Sequence, residues 1–169
     1  AGTVGVINYK TGETLVMTST PSYDPQNKPS DIDDNDAYSG AYINRLLTGL
    51  YTPGSTFKIV TAICAIENIS DIYDRTFKCT GEYDPGSGTP IECNARHGTL
   101  TFEQALAKSC NSVFAQIAIE LGPQKLADTA KELGLTSKVT LNNDIDSSTG
   151  RFFLESGDAD DYVGWTGIG

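Results

Sequence analysis

Basic residues are scarce in this sequence. Its 169 residues carry 12 Lys and Arg against 22 Asp and Glu, a net charge of −10. No basic stripe exists that could displace counterions from phosphates, so nucleic acid is excluded as a partner. Long apolar runs are missing too: no stretch approaches the roughly 18 residues of a membrane span, and no signal peptide is visible. There is no low-complexity tract and no internal repeat. Cysteine is limited to Cys64, Cys79, Cys93 and Cys110, and histidine to His97. That cysteine count does not fix a redox compartment. What remains is ordinary for a globular chain, 38% hydrophobic and 20% charged, enough to build one core. The length fits a single domain over 1–169. The abrupt start at Ala1 in a strand-like run and the stop at Gly169 in GWTGIG predict a piece of a larger protein.

The pattern along the chain reads as strands, then a helical block, then a mixed segment. That order is α+β and not alternating βαβ. Residues 3–9 and 14–19 are β-rich and flank a KTGE turn, which reads as a hairpin with Gly12 at positive φ. Residues 20–40 are a polar loop. Its DIDDND stretch lacks the glycine and glutamate of a common calcium loop and reads as solvated surface. A short helical piece at 41–48 precedes a Pro-Gly turn and a helix from Ser55 to about Asn68. That helix is apolar nearly all round, with Ile59, Ala62, Ile63 and Ile66 as its stripe, which predicts a buried central helix. Residues 75–79 and 90–93 read as a strand pair. Thr101 with Gln104 is a capping box for a helix to about Lys108. A helix at 112–121 follows, and Gly122–Pro123 separates it from another ending near Leu133. From 134 onward weak strands and loops are expected.

Ser55-Thr56-Phe57-Lys58 carries chemistry. Positions i and i+3 share a helix face, so Ser55 and Lys58 can touch. A lysine in apolar surroundings loses solvation of its charged form, its pKa falls, and it can act as a base. That activates a serine without histidine. Backbone N–H groups at the helix start point toward developing negative charge. Ser109-Cys110-Asn111 lies in a break between helices. A hydroxyl and a carboxamide there can share protons and hold an amide, while a plain helix cap explains them equally well.

SxxK followed by SxN resembles the serine set of penicillin-binding proteins and related β-lactamases. The likeness extends to GTVGVINYKTGETLVMTSTPSYDP, YTPGSTFKIVTAICAIEN, HGTLTFEQALAKSCNSVFAQIAIELG and GWTGIG. It implies the N-terminal part of a transpeptidase fold of the class B style, a sheet hairpin plus a helical block. Lys10-Thr11-Gly12 precedes both other motifs, whereas the family's third motif follows them. It is therefore a turn, and no KTG-type triad follows Asn111. By resemblance Ser55 is the acylated nucleophile and Lys58 its base. Ser109 relays a proton to the leaving group, and Asn111 contacts Lys58 and the substrate amide.

The implied activity is D,D-transpeptidation of peptidoglycan stem peptides ending in D-Ala-D-Ala, on the outer face of the cytoplasmic membrane, with β-lactams as trapping ligands and no cofactor for catalysis. The rivals are a serine β-lactamase or β-lactam sensor, and a non-catalytic module lacking the third motif. An unpaired hairpin edge leaves a homodimer as a further expectation. Cys79, Cys93, His97 and Cys110 offer soft ligands and one imidazole, suited to tetrahedral zinc, which some members of the family carry near the second motif. A Cys79–Cys93 disulfide and free thiols are the alternatives. Cys64 reads as core.

Overall fold

The computed structural model describes residues 1–141 and 144–169. The mixed reading from 134 onward includes 142 and 143, which lie outside the described residues. The chain forms two compact units, one from 1–51 and 138–149, the other from 52–137 and 150–169.

The first unit is built on an antiparallel hairpin, β1 (Gly2–Ile7) with β2 (Thr14–Thr20). The KTG tripeptide is its turn, with Gly12 at φ 75°. A short helix, α1 (Arg45–Thr48), is capped by the Asn44 side chain, which accepts from the backbone of Leu46 and Leu47. It lies over one face of the hairpin: the Arg45 N–H donates to Ser19 Oγ at 3.0 Å, and the bare Cα of Gly5 admits the Leu46 side chain. Val4, Val6 and Val16 stand on the opposite face, because strand residues alternate sides, and all three are exposed. Residues 21–40 form the expected loop apart from a helical turn at Asp36–Tyr38, and Ile32 within it is buried. Thr140–Leu141 pairs antiparallel with Ile145–Asp146, and Lys138 and Asp146 form a 2.6 Å ion pair.

The second unit holds most of the core. A tight turn at Gly54–Phe57 runs into α2 (Lys58–Asn68). Four short strands follow: β3 (Thr76–Cys79), β4 (Glu82–Tyr83), β5 (Ile91–Glu92) and β6 (Gly98–Thr101). The expected pairing of 75–79 with 90–93 is not the one formed. β3 pairs with β6, and β4 with β5. The reason is side-chain register: Phe77 and Leu100 face each other across β3–β6 and both are buried. α3 (Phe102–Ala107) starts at Thr101 with the expected capping box. α4 (Asn111–Glu132) runs on with a kink where Gly122 takes φ 78° and ψ 165°. The predicted break at Gly122–Pro123 is this kink, since Pro123 cannot donate to the preceding turn.

The last helix, α5 (Asp160–Ile168), had no clear signal in the sequence. It packs through glycine. A Cβ at Gly164 would meet Ile91, Ala115 and Ile119, and one at Gly167 would meet Ala118. The missing side chains let α5 approach α4 closely, and the Thr61 hydroxyl donates to the Gly167 carbonyl at 2.6 Å. The core joins Ala62, Cys64 and Ala65 of α2 to Val113, Phe114, Ile117 and Ala118 of α4. The fully buried α2 is corrected in part. Val60, Ala62, Cys64 and Ala65 are buried, but Ile59 is 58% exposed and Ile66 46% exposed. Within this unit only the α4 and α5 side of α2 is covered.

Candidate active site

Ser55 follows Pro53 and Gly54. Gly54 takes φ 55°, a conformation that penalises any side chain. The chain thereby turns sharply and leaves Ser55 exposed at the helix start. Three residues on, Lys58 begins α2 and is only 1% exposed. Its ammonium nitrogen donates to Ser55 Oγ at 2.8 Å. This is the i, i+3 contact expected from the spacing. Lys58 has no salt bridge among the described residues. Burial lowers its pKa below the ordinary lysine value, with Cys93 and Cys110 pulling weakly the other way. A buried lysine whose charged form is disfavoured, against an exposed serine hydroxyl, sets a base beside a nucleophile.

The second pair of candidates lies between α3 and α4. Ser109 has φ 51°, the one positive value outside glycine among the described residues. Such strain in a non-glycine residue persists only where the surroundings hold it. Here the Ser109 N–H donates to Leu106 O at 3.0 Å and the Cys110 N–H to Ala105 O at 2.9 Å. Asn111 makes no hydrogen bond to Lys58, the partner the resemblance implied. Its side-chain amide donates to the Glu92 carbonyl at 3.0 Å, because α4 opens beside β5 and a backbone oxygen lies in reach. That anchor was invisible in sequence, since any residue can supply a carbonyl. Beside the Ser55 turn, Pro53, Phe57, Phe152, Tyr162 and Trp165 line a groove of about 320 Å³.

The cysteine and histidine candidates do converge. The ligand atoms of Cys79, Cys93, His97 and Cys110 all lie within 4.8 Å of one another. Cys79 Sγ and Cys93 Sγ are each 3.6 Å from His97 Nδ1, and Cys93 Sγ is 3.8 Å from Cys110 Sγ. A tetrahedral zinc with Zn–S near 2.3 Å and Zn–N near 2.0 Å has edges of roughly 3.5–3.8 Å. Three of the donor–donor distances are of that size, and the set as a whole is somewhat wider. The Cys79–Cys93 disulfide is not formed, and all four cysteines are free. Because β3 pairs with β6, Cys79 faces Gly98 across the ladder instead of Cys93. Burial opposes a Cys79 thiolate, but hydrogen bonds from the His97 backbone and the Ser112 hydroxyl outweigh it and bring the group to about 7. Burial first, then its neighbouring sulfurs, push Cys110 up to about 12. Ser112 is a buried hydroxyl 3.5 Å from Cys79 Sγ, and nothing in its sequence context marked it. Cys64 is core, as expected.

Comparison with known proteins identifies the family. Residues 2–160 match the family described as "Penicillin binding protein transpeptidase domain". The chain belongs to the penicillin-binding protein transpeptidase family. Among its relatives is the peptidoglycan D,D-transpeptidase PbpA of Mycobacterium tuberculosis, 30% identical over 153 residues that cover 80% of this chain and 30% of that protein. Stage V sporulation protein D of Bacillus subtilis is 32% identical over 144 residues, covering 80% of this chain and 21% of that one. Among solved structures, the penicillin G acyl-enzyme complex of penicillin-binding protein A from M. tuberculosis has a TM-score of 0.82 at 26% identity, covering 99% of this chain and 41% of that chain. The chain thus spans less than a third of the length of these curated relatives. The α+β fold is that of the family. No described helix is long and apolar enough to cross a membrane.

Proposed function

We propose that this chain carries the nucleophile half of a peptidoglycan D,D-transpeptidase, both units being parts of one partial transpeptidase domain. The observation that supports this most directly is the 2.8 Å Lys58–Ser55 hydrogen bond, with the lysine buried and the serine open. In this reading neutral Lys58 takes the Ser55 proton as Oγ attacks the carbonyl carbon of the penultimate D-Ala. The bond to the terminal D-Ala nitrogen breaks, and that nitrogen leaves with a proton passed through Ser109. The acyl-enzyme on Ser55 is then attacked by an amine of a neighbouring stem peptide. The Ser55 backbone N–H, free at the helix start, stabilises the oxyanion. Asn111, held to Glu92, presents its remaining polar atom to the substrate amide. A β-lactam enters the same path by opening its ring amide, and its acyl group stays on Ser55. Peptidoglycan substrate sets the working compartment at the outer face of the cytoplasmic membrane.

Intact mass spectrometry after incubation with benzylpenicillin tests this reading. The expected result is one penicillin adduct per chain, absent from Ser55→Ala. No adduct on a chain that circular dichroism shows to be folded sinks the catalytic reading and leaves a non-catalytic module. Rapid loss of the adduct favours the β-lactamase alternative.

The reading includes a structural zinc held by Cys79, Cys93, His97 and Cys110. When bound, the ion would cross-link β3, the β5 end and the start of α4, and it would take no part in acyl transfer. Elemental analysis should find one zinc per chain, and chelation should lower the melting temperature by several degrees. A melting curve unmoved by chelator in a metal-free chain rules the ion out. The bare Val4–Val6–Val16 face and the free hairpin edge extend the reading to a homodimer. Sedimentation velocity showing only monomer across the accessible concentration range removes that part.

A further inference from the structure

We infer that Cys93 and Cys110 form an oxidative modification site, in which the two thiols join as a disulfide. Their sulfurs touch at 3.8 Å, so a bond of about 2.05 Å needs a closure of under about 2 Å. Access selects the first thiol to react. Cys93 is partly exposed, while Cys79 and Cys110 are buried. Position selects the second. Cys79 Sγ is engaged with the Ala95 carbonyl at 3.4 Å and the Ser112 hydroxyl at 3.5 Å, whereas Cys110 lies in contact with Cys93. His97 Nδ1, 3.6 Å from Cys93 Sγ, is the group in reach of the Cys93 proton.

The oxidant is a peroxide. The Cys93 sulfur attacks one peroxide oxygen, the O–O bond breaks, and the released hydroxide takes up the thiol proton as water. This leaves a sulfenic acid on Cys93. The Cys110 sulfur then attacks the Cys93 sulfur, the S–O bond breaks, and the hydroxyl departs as a second water with the Cys110 proton. Two electrons pass from the thiols to one peroxide, which becomes two waters.

The consequence falls on the second motif. Cys110 is the middle residue of Ser109-Cys110-Asn111, and Cys93 follows the last residue of β5. The bond would add a covalent tie beside the Asn111–Glu92 hydrogen bond and lock the strained Ser109 turn to β5. It would also remove two of the four donors from the cluster, so any zinc held there must leave. The inference stands on the placement of the sulfurs and holds with or without the metal.

The test uses the full chain, reduced, in two samples: one loaded with zinc and one stripped by chelator. Each is treated with a small excess of hydrogen peroxide, quenched, alkylated and analysed by intact mass and peptide mapping. The expected result in both is a loss of about 2 Da and a cross-linked peptide joining Cys93 to Cys110. Cys64 and Cys79 remain open to alkylation after denaturation. In the loaded sample, zinc release measured with a chromogenic chelator should match disulfide formation one for one. Cys93→Ser, at the partly exposed position, should show neither mass loss nor cross-link. A Cys79–Cys93 or Cys79–Cys110 bond, oxygen addition at Cys93 without cross-linking, or an unchanged mass would overturn the inference. A chain that binds no zinc but cross-links when stripped would refute the metal reading alone.

Discussion

Lys58→Met slows penicillin acylation of Ser55 by about 10²–10⁴-fold, the usual worth of a positioned base, while making the folded chain more stable at neutral pH. Both effects have one cause. Lys58 sits buried with its pKa lowered, burial being the main reason. The neutral amine that burial favours is the form that accepts the Ser55 proton. The acylation rate of the parent should therefore climb with pH and level off below the ordinary lysine value of 10.5. The stability effect has the following sign. Between the lowered folded pKa and the ordinary value, the unfolded chain binds more protons than the folded one, so the parent gains stability as pH rises through that window. Below the window it bears the full cost of burying the lysine. Methionine bears none, so its advantage is largest below the window, shrinks through it and vanishes above it. Second-order acylation rates and melting temperatures of both proteins from pH 6 to pH 11 check this. A parent rate that is flat with pH, or a variant less stable at pH 7, contradicts it.

Phe114→Ala should cost about 3–5 kcal/mol of stability, the range for emptying a buried aromatic site. Against a total of about 5–15 kcal/mol for a typical domain, this leaves the variant marginal. Phe114 is fully buried on α4. Its ring lies 6.2 Å from that of Phe102 on α3, and Phe102 in turn meets Tyr73 edge-on at 5.8 Å. Loss of the ring opens a void where α3 and α4 pack. Urea unfolding followed by circular dichroism measures the loss. A shift under about 1 kcal/mol, the level of an ordinary surface change, would mean that the ring is not a keystone of this core.

Much of the site was legible because its logic is local. Ser55 and Lys58 are three residues apart on a helix, and helical geometry alone brings them together. The Thr101–Gln104 capping box and the kink at Gly122–Pro123 also act within a few residues, and both formed as expected. The KTG triplet read correctly as a turn, because Gly12 suits positive φ and the hairpin surrounds it.

What failed in the sequence involved partners far apart in the chain. β3 could pair with either of two short runs, and only the burial of Phe77 against Leu100 chose β6. The apolar stripe of α2 suggested burial on every side, but hydrophobicity shows which residues tolerate burial without showing which neighbour will cover them. α5 lacked a signal because its packing rests on absent side chains at Gly164 and Gly167. Asn111 found a carbonyl, Glu92, that no residue type could announce. Four ligand-type residues between positions 79 and 110 were visible as a list, yet zinc, disulfide and free thiol stayed equal on paper.

The sequence by itself determined the opening hairpin, the helices α2, α3 and α4, the Ser55–Lys58 contact and the family, because these rest on short-range periodicity and on motifs. Only the tertiary structure decided the strand partners, the bare side of α2, the anchor of Asn111 and the meeting of Cys79, Cys93, His97 and Cys110. Those depend on which distant surfaces exclude water together, and that is a property of the packed chain as a whole.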